Sequence, residues 1–290
     1  MSDYMIIVIT TIFINIILAV SLNMINGMTG QFSLGHAGFM AVGAYISAIF
    51  VKEFHMSILV GVLCAVIFAA IVGFAVGFPV LRLKGDYLAI VTLGFGEIIR
   101  VIIQQMKITG GARGLYGIPS IAGVSGFSSY YGLIAIAGAA VITVIIIRNI
   151  MVSSEGRAFI SIREDEIAAE SMGINLTKYK VLSFVIGAGF AGAAGALYAH
   201  TFNTITPSIF NMYKTVDILL MVVLGGMGSL TGSIFAAVAL TIVSELLRGF
   251  SEYRMIIYSL LLIVLMLIRP NGILGKKELS DIIKFKKRGA

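Results

Sequence analysis

The chain has 290 residues, of which 59% are hydrophobic and only 12% charged, and its mean hydropathy is +1.02. A water-soluble domain of this length needs about twice that charged fraction to wet its surface, so composition excludes one and points to a single bundle facing lipid. The net charge of +7 gathers near the C-terminus, where anionic lipid headgroups account for it better than nucleic acid does, and the single cysteine, Cys64, excludes a disulfide framework or a paired-cysteine metal site.

A helix needs about 20 apolar residues to cross a hydrocarbon core of about 30 Å. The first such segment, residues 5–25, has no basic flank before it and is long for a signal sequence, so it reads as an uncleaved transmembrane helix. Segments 33–51, 58–81 and 87–106 follow. The second opens in a stretch punctuated by Gly27, Gly30, Gly35 and Gly38, with polar Thr29, Gln31, Ser33 and His36 between them. Non-helical backbone survives at membrane depth only where protein or a watery cavity satisfies its amides. Interrupted helices also point free N–H groups at anionic substrates. Gly30, Gln31, Ser33, Gly35, His36 and Gly38 are therefore candidates for a translocation path, with tight packing by small residues as the alternative for each glycine. In the fourth segment Glu97 stands three residues before Arg100, so the two can pair on one helix face. Glu97 is either half of a structural pair or a polar point on the path.

After segment 130–147 comes the longest polar stretch, residues 151–180. Ser161 can cap a short helix over 162–172, with Glu164, Asp165 and Glu166 in the first turn, where the helix dipole favours negative charge. Gly173 is placed to end it in the left-handed conformation, Ile174 supplies the hydrophobic contact of a Schellman-type stop, and Asn175 can cap the next helix. A helix terminated at both ends can transmit displacement from a docked partner; an ordinary interfacial loop helix is the alternative.

Segment 179–200 carries Gly187, Ala191 and Gly195 at four-residue spacing, a face for close helix packing, and His200 near its end is expected at the interface. Residues 215–247 are apolar but broken by Gly225, Gly226, Gly228 and Gly232, which makes two short spans or a re-entrant pair. This break loosely repeats the first glycine-rich stretch, so Gly225, Gly226, Gly228 and Ser229 join the path candidates. Asp217 joins them too, with Lys214 three residues before it, and Glu245 and Arg248 share that spacing. Segment 255–268 is last.

Arg82 and Lys84, the bases of the central loop, and the tail bases Lys276, Lys277, Lys284, Lys286, Lys287 and Arg288 fall on one side if the N-terminus lies outside. The expectation is an all-α polytopic membrane protein of 7–9 transmembrane helices, including a Gly-broken or re-entrant element. Its N-terminus is outside and its C-terminus cytoplasmic. Residues 1–275 form one transmembrane domain, with a cytoplasmic loop at 151–178 and a basic tail at 276–290. The sequence holds no phosphate loop, no H-E-x-x-H, no G-x-S-x-G and no Cys/His cluster, so no catalytic residue, metal or bound cofactor is expected.

The pattern G-R-x-x-x-x-I-R-E-D-E-x-A-A-x-x-x-G-I runs from 156 to 174. With GMTGQFSLGHAGFMAVGAY at 27–45, LRLKGDYLAIVTLGFGEIIR at 81–100, LGGMGSLTGS at 224–233 and RPNGILG at 269–275, it resembles the permeases of bacterial branched-chain amino-acid ABC importers, most of all their LivM-like subunit. That resemblance implies alternating-access transport across the bacterial cytoplasmic (inner) membrane, with ATP bound by partner subunits. The implied partners are a second homologous permease, two cytoplasmic ATPase subunits and an extracytoplasmic substrate-binding protein. It further implies that Arg157, Arg163, Glu164, Asp165, Glu166, Ala169, Glu170, Met172 and Gly173 form the ATPase-coupling loop. An ion-coupled secondary transporter, and a permease of the same build for urea or another small amide, are the alternatives.

Overall fold

An apolar run inside a membrane folds as a helix, because only a helix bonds every backbone amide within its own segment. The computed structural model describes residues 3–80, 83, 85–121, 129–247, 260, 263 and 272, and these are mostly helical. In chain order the helices are α1 (Asp3–Asn23), α2 (His36–Lys52), α3 (Ile58–Val80), α4 (Asp86–Gln105), α5 (Ser129–Val152), α6 (Ser154–Glu164), α7 (Glu166–Ser171), α8 (Leu176–Phe202), α9 (Met212–Gly225) and α10 (Leu230–Leu246). Among the described residues, four are long and apolar enough to cross a membrane: α1 with the turn after it, α3, α5 and α8. Helices α2 and α10 are apolar but shorter. The first segment continues past Asn23 into a π-helical turn, Met24–Met28, and non-helical chain then runs to His36. The second break falls at 226–229, between α9 and α10. The expected segment 255–268, the tail 276–290, and Arg82 and Lys84 lie outside the described residues.

Helix α8 is the axis of the bundle, packed along α2 and α3 on a face of small residues. A methyl group at Gly43 would come 2.1 Å from the Gly192 carbonyl oxygen, one at Gly192 2.4 Å from Ala69 Cβ, and one at Gly195 1.9 Å from the Met40 carbonyl oxygen. Lipid tails are as apolar as leucine, so such helices associate through close backbone contact rather than hydrophobic exclusion. Gly187, Ala191 and Gly195 are buried, as their spacing predicts, with Gly195 against α2 and Gly187 against Ser21 and Ile25.

One end of the bundle gathers the start of α1 and the ends of α2, α8 and α10. The Tyr4 hydroxyl bonds Glu245, and Lys52 Nζ donates to the Tyr116 carbonyl across 3.0 Å. A two-residue ladder, β1 (Leu115–Tyr116) against β2 (Thr204–Ile205), ties the α4–α5 connection to the end of α8. This cover encloses His200 at the end of α8. The ring is fully buried, with Nδ1 donating to the Pro119 carbonyl at 2.8 Å and Nε2 meeting Ser47 Oγ at 2.9 Å. The opposite end gathers both chain breaks and the loop between α5 and α8.

Candidate functional site

Two caps organise the loop. Ser153 Oγ accepts the Gly156 N–H at 3.4 Å and starts α6. The backbone turns extended at Asp165, whose carboxylate accepts the N–H groups of Ile167 and Ala168 at 2.8 and 3.0 Å and starts α7. The single helix expected over 162–172 is thus two. Ser161 does not cap it but lies inside α6, bonded to the Ala158 carbonyl at 2.9 Å. A carboxylate holding two amides is the stronger cap, since bonds to an ionised acceptor exceed neutral ones. The far end matches expectation: Gly173 has φ of +85°, the Ile174 N–H reaches the Ala169 carbonyl at 3.1 Å, and Gly173 N–H reaches that of Glu170 at 2.9 Å. Asn175 Oδ1 then accepts the Lys178 N–H at 3.0 Å and opens α8.

The loop has two faces. Phe159, Ile162 and Ala169 are buried against the bundle, whereas Ile167 and Met172 are 76% and 84% exposed. Arg157, Glu164 and Glu170 are also exposed. Glu166 turns inward instead, and its carboxylate pairs with Lys180 at the base of α8.

Arg163 reaches furthest into the bundle. Its Nη1 donates to the Gly27 carbonyl at 2.8 Å, while Nε and Nη2 hold Glu164 at 3.2 and 2.8 Å. Gly27 lies in the π-helical turn, where the regular ladder is disturbed and a carbonyl can be taken by a side chain. The arginine stem covers Gly30, where a Cβ would lie 2.9 Å from Cγ, and its Nη1 covers Gly228, where a Cβ would lie 2.6 Å away. One guanidinium therefore touches both glycine breaks. Asn23 joins them a second time: its Nδ2 donates to the Ser229 carbonyl at 2.9 Å and its Oδ1 accepts the Gly228 N–H at 2.8 Å.

Of the path candidates, Gln31, Ser33, Gly35, His36, Gly38, Gly225, Gly226 and Ser229 are buried within the chain. Gln31 Nε2 lies 3.1 Å from Thr29 Oγ1, 3.2 Å from the Lys180 carbonyl and 3.1 Å from Ser183 Oγ. Ser33 exchanges two bonds with the Asn26 amide. Gly35 and Gly38 lie against Thr92 and Gly96 of α4, and His36 Nε2 meets Ser21 Oγ at 2.8 Å. Ser229 caps α10 by accepting the Gly232 N–H at 3.1 Å. Gly30 is exposed beside Arg163. Glu97 pairs with Arg100 Nε at 2.7 Å, as its spacing predicts, and both side chains stay partly exposed. Asp217 stands apart from this group. It lines a cleft of about 340 Å³ on the α1 and α10 side, with Asn15, Lys214, Thr241 and Glu245. The Glu245–Arg248 spacing falls on Arg248, outside the described residues.

Sequence reading missed Asn23, Asn26, Ser183 and Lys180. The available signal was a pair of amide side chains, Asn23 and Asn26, near the end of a mostly apolar first span, where a polar group needs a partner.

A family profile described as "Branched-chain amino acid transport system / permease component" matches residues 4–268. The chain is 38% identical to the high-affinity branched-chain amino acid transport system permease protein LivM of Salmonella typhimurium, over 91% of this chain and 68% of that one, and equally so to LivM of Escherichia coli. It is 25% identical to the permease protein LivH of Escherichia coli, over 92% of each chain. No solved structure matches the chain.

Proposed function

The chain belongs to the family of branched-chain amino acid transport permeases and is LivM-like, and from that premise we propose that it forms half of the pore of an ATP-driven importer for branched-chain amino acids. The reading sets residues 1–275 as the permease domain in the bacterial cytoplasmic membrane, with the N-terminus outside and loop 151–178 and tail 276–290 inside. A second homologous permease, two cytoplasmic ATPase subunits and an extracytoplasmic binding protein complete the machine.

Within the loop the residues divide by task. Ile167, Glu170 and Met172, with Arg157 and Glu164 beside them, form the outward face that meets the ATPase. Asp165 and Gly173 keep α7 rigid, and Ala169 seats it. Arg163 and Glu166 carry displacement inward. The observation that carries this assignment is the contact of Arg163 Nη1 with the Gly27 carbonyl while it covers Gly228. A push on α6–α7 then moves both breaks together, and α1, α2, α9 and α10 hang from those breaks. Alternation between outward- and inward-open states needs such a link, because packed helices shift between discrete arrangements rather than deform continuously. Gln31, Ser33, His36 and Ser229 serve the moving joints in this scheme. Glu97 and Asp217 remain the candidates for contact with the aqueous path.

The test is purification of the tagged protein in mild detergent, with its companions identified by mass spectrometry. Recovery of an ATPase and a second permease is expected. A lone stable chain, whose reconstituted uptake follows an ion gradient without ATP, overturns the assignment.

A further inference from the structure

Charged side chains within a membrane protein are costly, and where they line open volume they mark a path for polar cargo. The cleft of about 340 Å³ beside Asp217 has that character. It lies at the end of the bundle where α1 and α9 begin and α10 finishes. Its volume falls within the roughly 300–1,000 Å³ of small-molecule sites. Lys214 and Asp217 stand three residues apart on α9, so they share a helix face at about 4.5 Å difference in height. Glu245 comes from the last turn of α10, where its carboxylate accepts the Tyr4 hydroxyl. Asn15 steers the lysine: its Oδ1 accepts from Lys214 Nζ at 3.3 Å, while its Nδ2 donates to Thr241 Oγ1 at 2.9 Å. Asn15 and Thr241 are both buried, so the cation is tied to α1 and α10 as well as to its own helix. Leu220, Met221 and Leu240, buried in the same lining, supply an apolar wall.

We propose that this cleft holds the amino acid in transit, as a zwitterion with an aliphatic side chain. Lys214 receives the α-carboxylate, Asp217 and Glu245 receive the α-ammonium, and Leu220, Met221 and Leu240 receive the side chain. One cation, two carboxylates and an aliphatic wall around a single small volume fit that ligand class. A neutral amide has no use for the charges, and a simple ion has none for the wall. The cleft is also placed to respond to the coupling loop. Asn15 is about 12 Å along α1 from Asn23, which bonds both Gly228 and Ser229 between α9 and α10. The three helices that carry the proposed contacts are thus joined at their other ends by the two breaks. Displacement of the breaks changes the spacing of the groups that hold the substrate.

This inference rests on the importer reading and adds the place of substrate contact. Thiol labelling of the permease–ATPase complex in mild detergent tests it, with leucine as the probe. In a Cys64→Ala background, Ser244→Cys puts a near-isosteric thiol in the lining, and Tyr116→Cys puts one at an exposed position outside it. Leucine is expected to slow alkylation of Ser244→Cys and to leave Tyr116→Cys unchanged. Isocaproate and isoamylamine, which each keep one of leucine's charges, should protect far less. Losing a charge-assisted hydrogen bond weakens binding at least about tenfold, so Lys214→Gln and Asp217→Asn should each raise the half-protecting leucine concentration by that factor. Both changes should also lower leucine uptake in proteoliposomes while the ATPase and second permease still co-purify. If those partners co-purify but Ser244→Cys labels at one rate with and without leucine, the site is wrong and the importer reading stands. Protection by isocaproate or isoamylamine equal to that by leucine likewise overturns the zwitterion site. If neither partner co-purifies, the importer reading falls and this site falls with it.

Discussion

The Arg163 guanidinium donates to the Gly27 carbonyl across 2.8 Å, spanning 136 positions of sequence to join the connecting loop to the first helix break. A hydrogen bond from a charged donor contributes about 1.5–3 kcal/mol, enough to couple two elements that share little other contact. Removing it should leave the loop's exposed face intact. Arg163→Ala is therefore expected to keep the ATPase bound while substrate uptake in proteoliposomes falls at least about tenfold, the factor that 1.4 kcal/mol implies. Arg163→Lys, which retains charge but lacks the planar fork, should recover only part of the loss. Uptake equal to that of the parent protein in Arg163→Ala would remove the arginine from the coupling route.

Ile167 and Met172 offer the opposite experiment. They are 76% and 84% exposed, so changing them should shift the stability of the isolated chain by no more than about 0.5 kcal/mol. Ile167→Glu and Met172→Asp are expected to abolish co-purification of the ATPase with an unchanged thermal midpoint. Retention of the ATPase by both variants would place the docking face elsewhere. An Arg163→Glu, Glu166→Arg exchange is the less clean test, since Arg163 bonds Gly27 and Glu166 bonds Lys180 rather than each other.

Asp165 holds two amides at the start of α7, and loss of such a cap costs about 1 kcal/mol. In a helix as short as Glu166–Ser171, that cost falls on one turn. Asp165→Ala should speed amide hydrogen exchange at Ile167 and Ala168, with Asp165→Asn closer to the parent. Uniform exchange rates across the three proteins would show that α7 is held by Ala169 and the Glu166–Lys180 pair without its cap.

Much of the fold was legible because a membrane reduces the choice to helix length and interruption. The spans 5–25, 58–81, 130–147 and 179–200 each fall within one helix to within a few residues, and the glycines at 225–232 mark a real break. The Gly173 stop and the Asn175 cap follow from local chemistry alone. The cap at Asp165 was misread because Ser161 and Asp165 are both good capping residues, and only the packing of Phe159 and Ile162 fixes which turn starts where. The meeting of the two breaks was not legible at all. Residues 27 and 228 are far apart in sequence, and their contact depends on α1 and α10 lying side by side, which no local pattern encodes. The burial of His200 escaped for the same reason, because Pro119, whose carbonyl its ring meets, comes from the α4–α5 connection.

Gly173 and Gly228 separate backbone strain from steric exclusion. Both have positive φ, +85° and +94°, but a Cβ at Gly173 meets nothing within 4 Å, whereas one at Gly228 lies 2.6 Å from Arg163 Nη1 and 3.2 Å from the Gly27 carbonyl oxygen. Gly173→Ala should cost only the left-handed penalty of about 1–2 kcal/mol. Gly228→Ala should cost more, because the arginine must leave its place between the breaks. Shortening that arginine frees the space, so Gly228→Ala combined with Arg163→Ala is expected to be less destabilised than the sum of the single changes. Residues in direct contact couple by about 0.5–3 kcal/mol in such a cycle. Thermal unfolding of the four proteins in detergent gives the coupling term. Additivity within about 0.5 kcal/mol would mean that Arg163 does not press on the second break, and the joint movement of the two breaks would lose its mechanical basis.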